Sequence, residues 1–188
     1  MNLSPLDIRL IVIAVVVLFI AGLSWLYMRR RKTAALRQKF GSEYDRAVLV
    51  HGSERQAEAK LGDREKRVKQ LTIRDLDSPE HERFAKQWEN VQARFVDSPK
   101  GAVMEADDLV AALMKTRGYP VSDFDQRAAD ISVDHPKVVE NYRSAHETTQ
   151  RVGKLESTTD ELRAAMIHYR ALYEELMQVT PPVVGKVA

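Results

Sequence analysis

The sequence holds no cysteine. Disulfides and thiolate metal sites are therefore excluded, and the composition suits a reducing compartment. Glycine and proline are sparse, at 8 and 7 of 188 residues. Alanine, leucine, glutamate, lysine and arginine are plentiful instead, which favours helix. No run alternates apolar and polar residues as a half-buried strand does, and no internal repeat stands out. Phosphate-binding glycine loops, a GxSxG elbow and an HExxH helix are all missing. These absences leave an all-α chain with no ready-made catalytic motif.

The first positive feature is a long apolar run. Leu10–Met28 spans nineteen residues without a charge. As a helix it would reach roughly 28 Å, close to a bilayer's hydrocarbon thickness. Trp25 and Tyr27 sit near one end, where amphipathic rings favour an interface, and Arg29, Arg30, Arg31 and Lys32 follow at once. A cleaved signal peptide would carry its positive charges before the run, not after it. The pattern predicts a single-pass anchor with the N-terminus outside and the rest of the chain on the cytoplasmic side of the plasma membrane.

Charge is unevenly spread. Residues 1–71 carry 14 Lys+Arg and 7 Asp+Glu, a net of +7, whereas residues 72–188 carry 15 and 20, a net of −5. Arg29, Arg30, Arg31, Lys32, Arg37 and Lys39 cluster just after the apolar run and are candidate contacts for anionic lipid headgroups. The acidic distal half argues against nucleic acid as a partner.

Along the chain, Ser4-Pro5 reads as a helix start. Leu36, Phe40, Tyr44 and Ala47 or Val48 keep helical spacing through residues 33–50, weakened by Gly41. His51-Gly52-Ser53 reads as a break, with Ser53 capping a charged helix whose thin stripe is Ala57, Leu61, Val68 and Leu71. That stripe covers about two heptads; it fits a solvated helix lying against the domain or the membrane surface, with homodimerisation as the alternative. Residues 72–77 read as irregular. Ser78-Pro79-Glu80 signals the next helix, with Phe84, Trp88, Val91 and Phe95 on one face. Ser98-Pro99 repeats the signal ahead of Val103, Ala106, Leu109, Val110, Leu113 and Met114, and Gly118 before Pro120 provides a left-handed stop. Ser122 is expected to cap a short helix bearing Phe124, Ala128 and Ile131. Asp134 is expected to cap another, with Val138, Val139, Tyr142 and Ala145 inward, closed by Gly153. Thr158 and Glu161 fit a capping box before Leu162, Ala165, Met166, Tyr169, Leu172 and Leu176. Thr180-Pro181-Pro182 ends the pattern.

The expected organisation is thus a transmembrane anchor with a basic stop at 1–32, a charged helical connector at 33–77, a compact bundle of four main helices plus one short helix at 78–179, and a tail at 180–188. Trp88, Phe95, Leu109, Tyr142 and Tyr169 should share a core.

Several of these pieces resemble a family of uncharacterised bacterial proteins that have a short N-terminal membrane helix and an all-helical soluble domain. They are Phe40-Gly41 with Glu43-Tyr44-Asp45-Arg46, Trp88 with Val91-Gln92 and Phe95-Val96-Asp97, Arg117-Gly118-Tyr119-Pro120, Asp134-His135-Pro136 with Val138-Val139-Glu140 and Tyr142-Arg143, and His168-Tyr169-Arg170. The resemblance implies a fold unit and carries over no activity, cofactor or catalytic residue.

Chemistry-bearing residues are scattered. His135, His146 and His168 with Asp130, Asp134 and Glu140 are the only candidates for a metal site, and none has tight ligand spacing, so no metal or cofactor is assigned. Arg117, Tyr119, Asp134, His135, Tyr142 and Arg143 form a candidate surface for a partner or anionic ligand, with the two arginines as anchors. The competing reading gives each a local structural task in a turn, cap or ion pair. Phe40 and Tyr44 with Arg37, Lys39 and Arg46 fit either an interfacial face or packing on the bundle. No catalytic residue is named. The expected role is a membrane-tethered, cytoplasmic-facing interaction module for a protein partner. The alternative is a small ligand-binding or enzymatic domain with a cleft near residues 117–143.

Overall fold

The computed structural model describes residues 5–120, 123–152 and 157–178, with side chains from Ala14 onward. Among them are eight helices and no strand. They are α1 (Pro5–Phe40), α2 (Ser42–His51), α3 (Glu54–Val68), α4 (Ser78–Arg94), α5 (Pro99–Thr116), α6 (Phe124–Asp134), α7 (Val139–Val152) and α8 (Thr159–Met177). The chain divides into two compact units, one ending at Lys39 and the other beginning at Phe40.

The first unit is the body of α1. Among the described residues no helix is long and apolar enough to cross a membrane. Arg29, Arg30, Arg31 and Lys32 continue in the same helix without a break. The expected single-pass anchor, its orientation and its plasma-membrane placement are overturned on this ground. The headgroup role given to Arg29, Arg30, Arg31, Lys32, Arg37 and Lys39 loses the span on which it rested.

The second unit is a helical bundle. Its core joins Phe84, Trp88 and Val91 of α4 to the apolar faces of α5, α7 and α8, with Ala128 and Ile131 from α6. Trp88, Leu109, Tyr142 and Tyr169 lie within that core, and Phe95 packs on it half-buried. Trp88 stacks on Tyr173 at 4.6 Å between ring centroids. Such stacking adds about 0.5–1.5 kcal/mol to the area the rings bury. α8 packs along both α7 and α5, and α5 also carries α4.

Of the stretch 33–77, read from sequence as a connector, residues 40–77 belong to this unit. The helix breaks at Gly41, and α2 turns Tyr44 and Ala47 inward. Gly52 takes a left-handed φ of 75° to stop α2, and Ser53 then caps α3 by accepting from the Gln56 amide. α3 packs on α2 and α6, and α2 also meets α7. Ala57 and Leu61 are fully buried, so the thin stripe is the face by which this charged helix lies against the rest of the unit. Leu71, Ile73 and Leu76 of the irregular stretch rest on the main core.

Helix ends differ in detail from the sequence signals. The cap of α4 is Asp77, not Ser78: its carboxylate accepts from the Glu80 amide while the Glu80 side chain accepts from the Asp77 amide. Thr158 and Glu161 make the expected capping box on α8. Asp123 caps α6, and Ser122 lies outside the described residues. Asp134 caps nothing; it is the last residue of α6, and α7 starts only at Val139. Gly153, Ser4, the Thr180-Pro181-Pro182 stop and the 180–188 tail also lie outside the described residues.

The α4 cap carries a measurable pH signature. Glu80 is held at about 2, below its ordinary 4.5, by hydrogen bonds from Arg74 first and the Asp77 amide second. A carboxylate with a depressed folded-state pKa contributes stability that is complete above its unfolded pKa. That contribution is lost as pH falls through the folded value. Urea midpoints should therefore drop between pH 4.5 and 2, and Arg74→Ala should flatten part of that drop.

Candidate functional site

Ionisable side chains gather at four places inside the second unit. The first joins α2, α3 and α7. Glu43 is only 3 % exposed, yet it is a carboxylate. Arg143 donates to it at 2.9 and 3.4 Å, and Arg64 at 3.2 Å. Burial pushes the Arg64 pKa down against the opposing pull of Glu43. A groove of about 420 Å³ lies over this seam, rimmed by Arg46, Leu49, Glu140 and Glu147.

The second place joins α3 to α6. Asp130 is fully buried, and its Oδ1 accepts from Arg67 Nε at 2.8 Å, another Arg67 nitrogen at 2.6 Å and Gln126 at 2.8 Å. All three bonds fall on one oxygen, and Oδ2 has no protein partner.

The third is the turn after α5. Arg117 is buried, donating to the carbonyls of Arg74 (3.3 Å) and Leu176 (2.8 Å) and to the Asp75 carboxylate (3.2 Å). Leu176 lies in the last turn of α8, where carbonyls have no intrahelical partner and the helix dipole favours a cation. Arg117 thus ties the irregular 72–77 stretch to the end of α8. Beside it, the Tyr119 hydroxyl donates to Asp134 at 3.0 Å, and burial raises that phenol's pKa further than the Asp134 charge does. His135 meets Glu175 at 3.0 Å.

The fourth place lies among α5, α6, α7 and α8. His146 Nδ1 meets Asp107 Oδ2 at 3.2 Å, and the imidazole stacks on Phe124 at 3.7 Å. Thr149 pairs with the Tyr169 hydroxyl at 2.8 Å. Tyr142, fully buried, is pushed up to about 12 by burial first, with Arg127 pulling the other way and Asp107 adding to the rise. Burial and the Asp107 charge raise Tyr169 as well.

The six residues proposed as one surface are therefore distributed over three of these clusters. Tyr142 lies in the α5–α8 cluster. Arg117, Tyr119, Asp134 and His135 stand around the 117–119 turn and the end of α6. Arg143 is in the Glu43 seam, with Asp125 at 3.7 Å as well. Both arginines offered as anion anchors already hold carboxylates. Phe40 and Tyr44 are fully buried. Among the described residues no three histidine, cysteine, aspartate or glutamate side chains form a group that could hold a metal ion. His135 and His146 are each paired with a carboxylate from a different helix.

Glu43, Asp107 and Arg127 carry these clusters and were not singled out from sequence. A signal for each was present. Glu43 lies three after Phe40 and four before Ala47, Asp107 four after Val103 and three before Val110, and Arg127 three after Phe124 and four before Ile131. An ionisable residue at an apolar-stripe position must either be buried with partners or break the stripe.

No family model, no curated protein and no solved structure matches this chain. The class that the structure itself defines is an all-α helical bundle with internal ion pairs.

Proposed function

We propose that this protein is an interaction module in which the second unit is a stable helical body and α1 is the element a partner covers. The observation that supports this is the exposure of α1. Eleven large apolar side chains from Val15 to Met28 stand 47–72 % exposed. They surround the helix rather than lining one stripe. A helix apolar on every side belongs inside a larger apolar assembly, and exposed patches of more than a few hundred Å² mark interaction surfaces.

The chemistry of the covering surface follows from the helix's own pattern. The apolar stretch passes directly into Arg29, Arg30, Arg31 and Lys32, all exposed. Arg29 and Arg31 lean over the Trp25 and Tyr27 rings, at 5.6 and 5.1 Å from the centroids. The partner we infer is a protein with an apolar helix-binding face flanked by acidic side chains. Affinity would come from the apolar contact, and orientation from the charges.

Photo-cross-linkers placed at Leu18 and Leu23 test this in the intact chain, with Met104 on α5 as the control position. The reading expects one protein species captured from both α1 positions and not from Met104, with capture weakened by charge reversal at Arg29 and Arg30. Cross-links confined to the same chain would overturn it. Cross-links solely to a second copy would reassign α1 to self-association.

A further inference from the structure

Residues 72–188 carry a net charge of −5, yet one cavity in that stretch is lined mainly by cations. It holds about 570 Å³ and opens where α4, the end of α5 and the 72–77 segment meet. Arg74, Arg83 and Lys115 line it, with Glu80 as the one carboxylate. Gln87 and Thr116 add polar groups, and Phe84 and Ala112 give an apolar wall. The helices explain the grouping. Arg83 and Gln87 lie four apart on α4, and Lys115 and Thr116 follow Ala112 by three and four on α5, so each set shares a helix face. Arg74 is brought to the rim because its amide donates to the Arg117 carbonyl at 2.9 Å.

Not all of these charges are free. Arg74 donates twice to Glu80, at 2.7 and 2.6 Å, so the two neutralise each other. Arg83 and Lys115 have no ion-pair partner among the described residues, and the Gln87 amide has no hydrogen-bond partner among them. Arg83 is nevertheless positioned: its guanidinium lies over the Phe84 ring, 5.0 Å from the centroid. That contact restrains a long side chain and lowers the ordering cost of binding. Thr116 already donates to the Ala112 carbonyl at 3.0 Å. The open groups are thus mostly donors, since a guanidinium and an ammonium cannot accept. Two unneutralised cations on one concave surface also concentrate the field that draws anions in. The complement is an acceptor-rich anion. Size narrows the class, because sites for small organic molecules typically run about 300–1,000 Å³ and a bare inorganic ion needs far less.

We propose that this cavity binds a small organic anion, with its phosphate or carboxylate group between Arg83 and Lys115, Gln87 as a further donor, and its apolar part against Phe84 and Ala112. Phosphate and carboxylate share the chemistry that an arginine fork and a lysine ammonium recognise. Arg83, Gln87 and Lys115 are exposed, so such a ligand enters without any helix moving. The site belongs to the second unit and is independent of α1 and of the interaction reading.

Phenyl phosphate, phenylacetate and inorganic phosphate test the proposal. Each is titrated into the isotope-labelled full chain, with ionic strength held constant by chloride. The expected result is saturable movement of the Gln87 side-chain amide signal with at least one of the two phenyl compounds. Arg83→Gln and Lys115→Gln should each weaken that binding about tenfold or more, the loss expected for one hydrogen bond to a charged group. Arg163→Gln, on α8 and outside the cavity lining, should leave it unchanged. All three substituted side chains are exposed, and helical circular dichroism confirms that the variants stay folded. Tighter binding of phenyl phosphate assigns a phosphate ligand, and tighter binding of phenylacetate a carboxylate; either supports the proposal. Inorganic phosphate binding as tightly as phenyl phosphate would overturn the organic-anion assignment. No saturable movement with any of the three, or undiminished binding in both cavity variants, would overturn the site itself.

Discussion

Glu43→Ala should lower the unfolding free energy of the full chain by about 3–5 kcal/mol, the range for removing one partner of a buried ion pair. The reason is what the substitution leaves behind. Arg143 is about nine-tenths buried and Arg64 is mostly covered, with a side chain 17 % exposed. Both point at the Glu43 carboxylate from different helices. Without it, two guanidiniums face each other across a seam that water reaches poorly, and repulsion adds to lost hydrogen bonds. The effect should include partial release of α2 and α3 from α7, since Glu43 connects all three. Urea unfolding followed by helical circular dichroism measures the loss, and amide exchange in residues 42–68 locates it. A change below about 1 kcal/mol would place the seam in the class of exposed surface pairs.

Gly118→Ala should cost about 2–5 kcal/mol. Gly118 holds φ at 99°, where an L side chain is strained by about 1–2 kcal/mol. A Cβ there would also stand 2.3 Å from the Thr72 carbonyl oxygen, which is backbone and cannot rotate away. Forcing such a shift typically adds about 1–3 kcal/mol. The glycine makes a Schellman stop for α5: its amide donates to the Lys115 carbonyl, and the Tyr119 amide to the Met114 carbonyl, both at 3.0 Å. The same geometry lets the Arg74 amide donate to the Arg117 carbonyl at 2.9 Å, drawing residues 72–77 against the turn. Gly62 is the internal control. Nothing lies within 4 Å of its would-be Cβ, so Gly62→Ala in α3 should stabilise by about 0.5–1 kcal/mol. Thermal or urea midpoints of the two variants should move in opposite directions.

The left-handed stop at Gly118 was legible because glycine before Tyr-Pro has few other readings. The Thr72 approach was not, since it depends on where a distant strand of chain passes. The α8 capping box was legible because both of its members are local. The α4 cap was displaced by one residue because Asp77 and Ser78 are both good caps, and only the reciprocal bond to Glu80 decides between them. Helical periodicity placed the apolar faces of α4, α5, α7 and α8 correctly. It undervalued α3, whose few apolar residues are nevertheless buried because Arg64 and Arg67 bring it against Glu43 and Asp130. Pairings such as Arg143 with Glu43 lie a hundred residues apart, and no local pattern encodes them. The apolar run was legible as a feature. Its reading as a span was not sustained, because among the described residues no helix is long and apolar enough to cross a membrane.

The claim that α1 is covered in use can be tested by comparing two methionines. Met28 and Met104 are 67 % and 50 % exposed in the isolated chain, so by accessibility alone Met28 should oxidise at least as readily. Hydroxyl-radical footprinting in intact cells, read by mass spectrometry, should find Met28 protected relative to Met104. Equal or greater oxidation of Met28 there would mean that its helix stands bare, and would contradict the account.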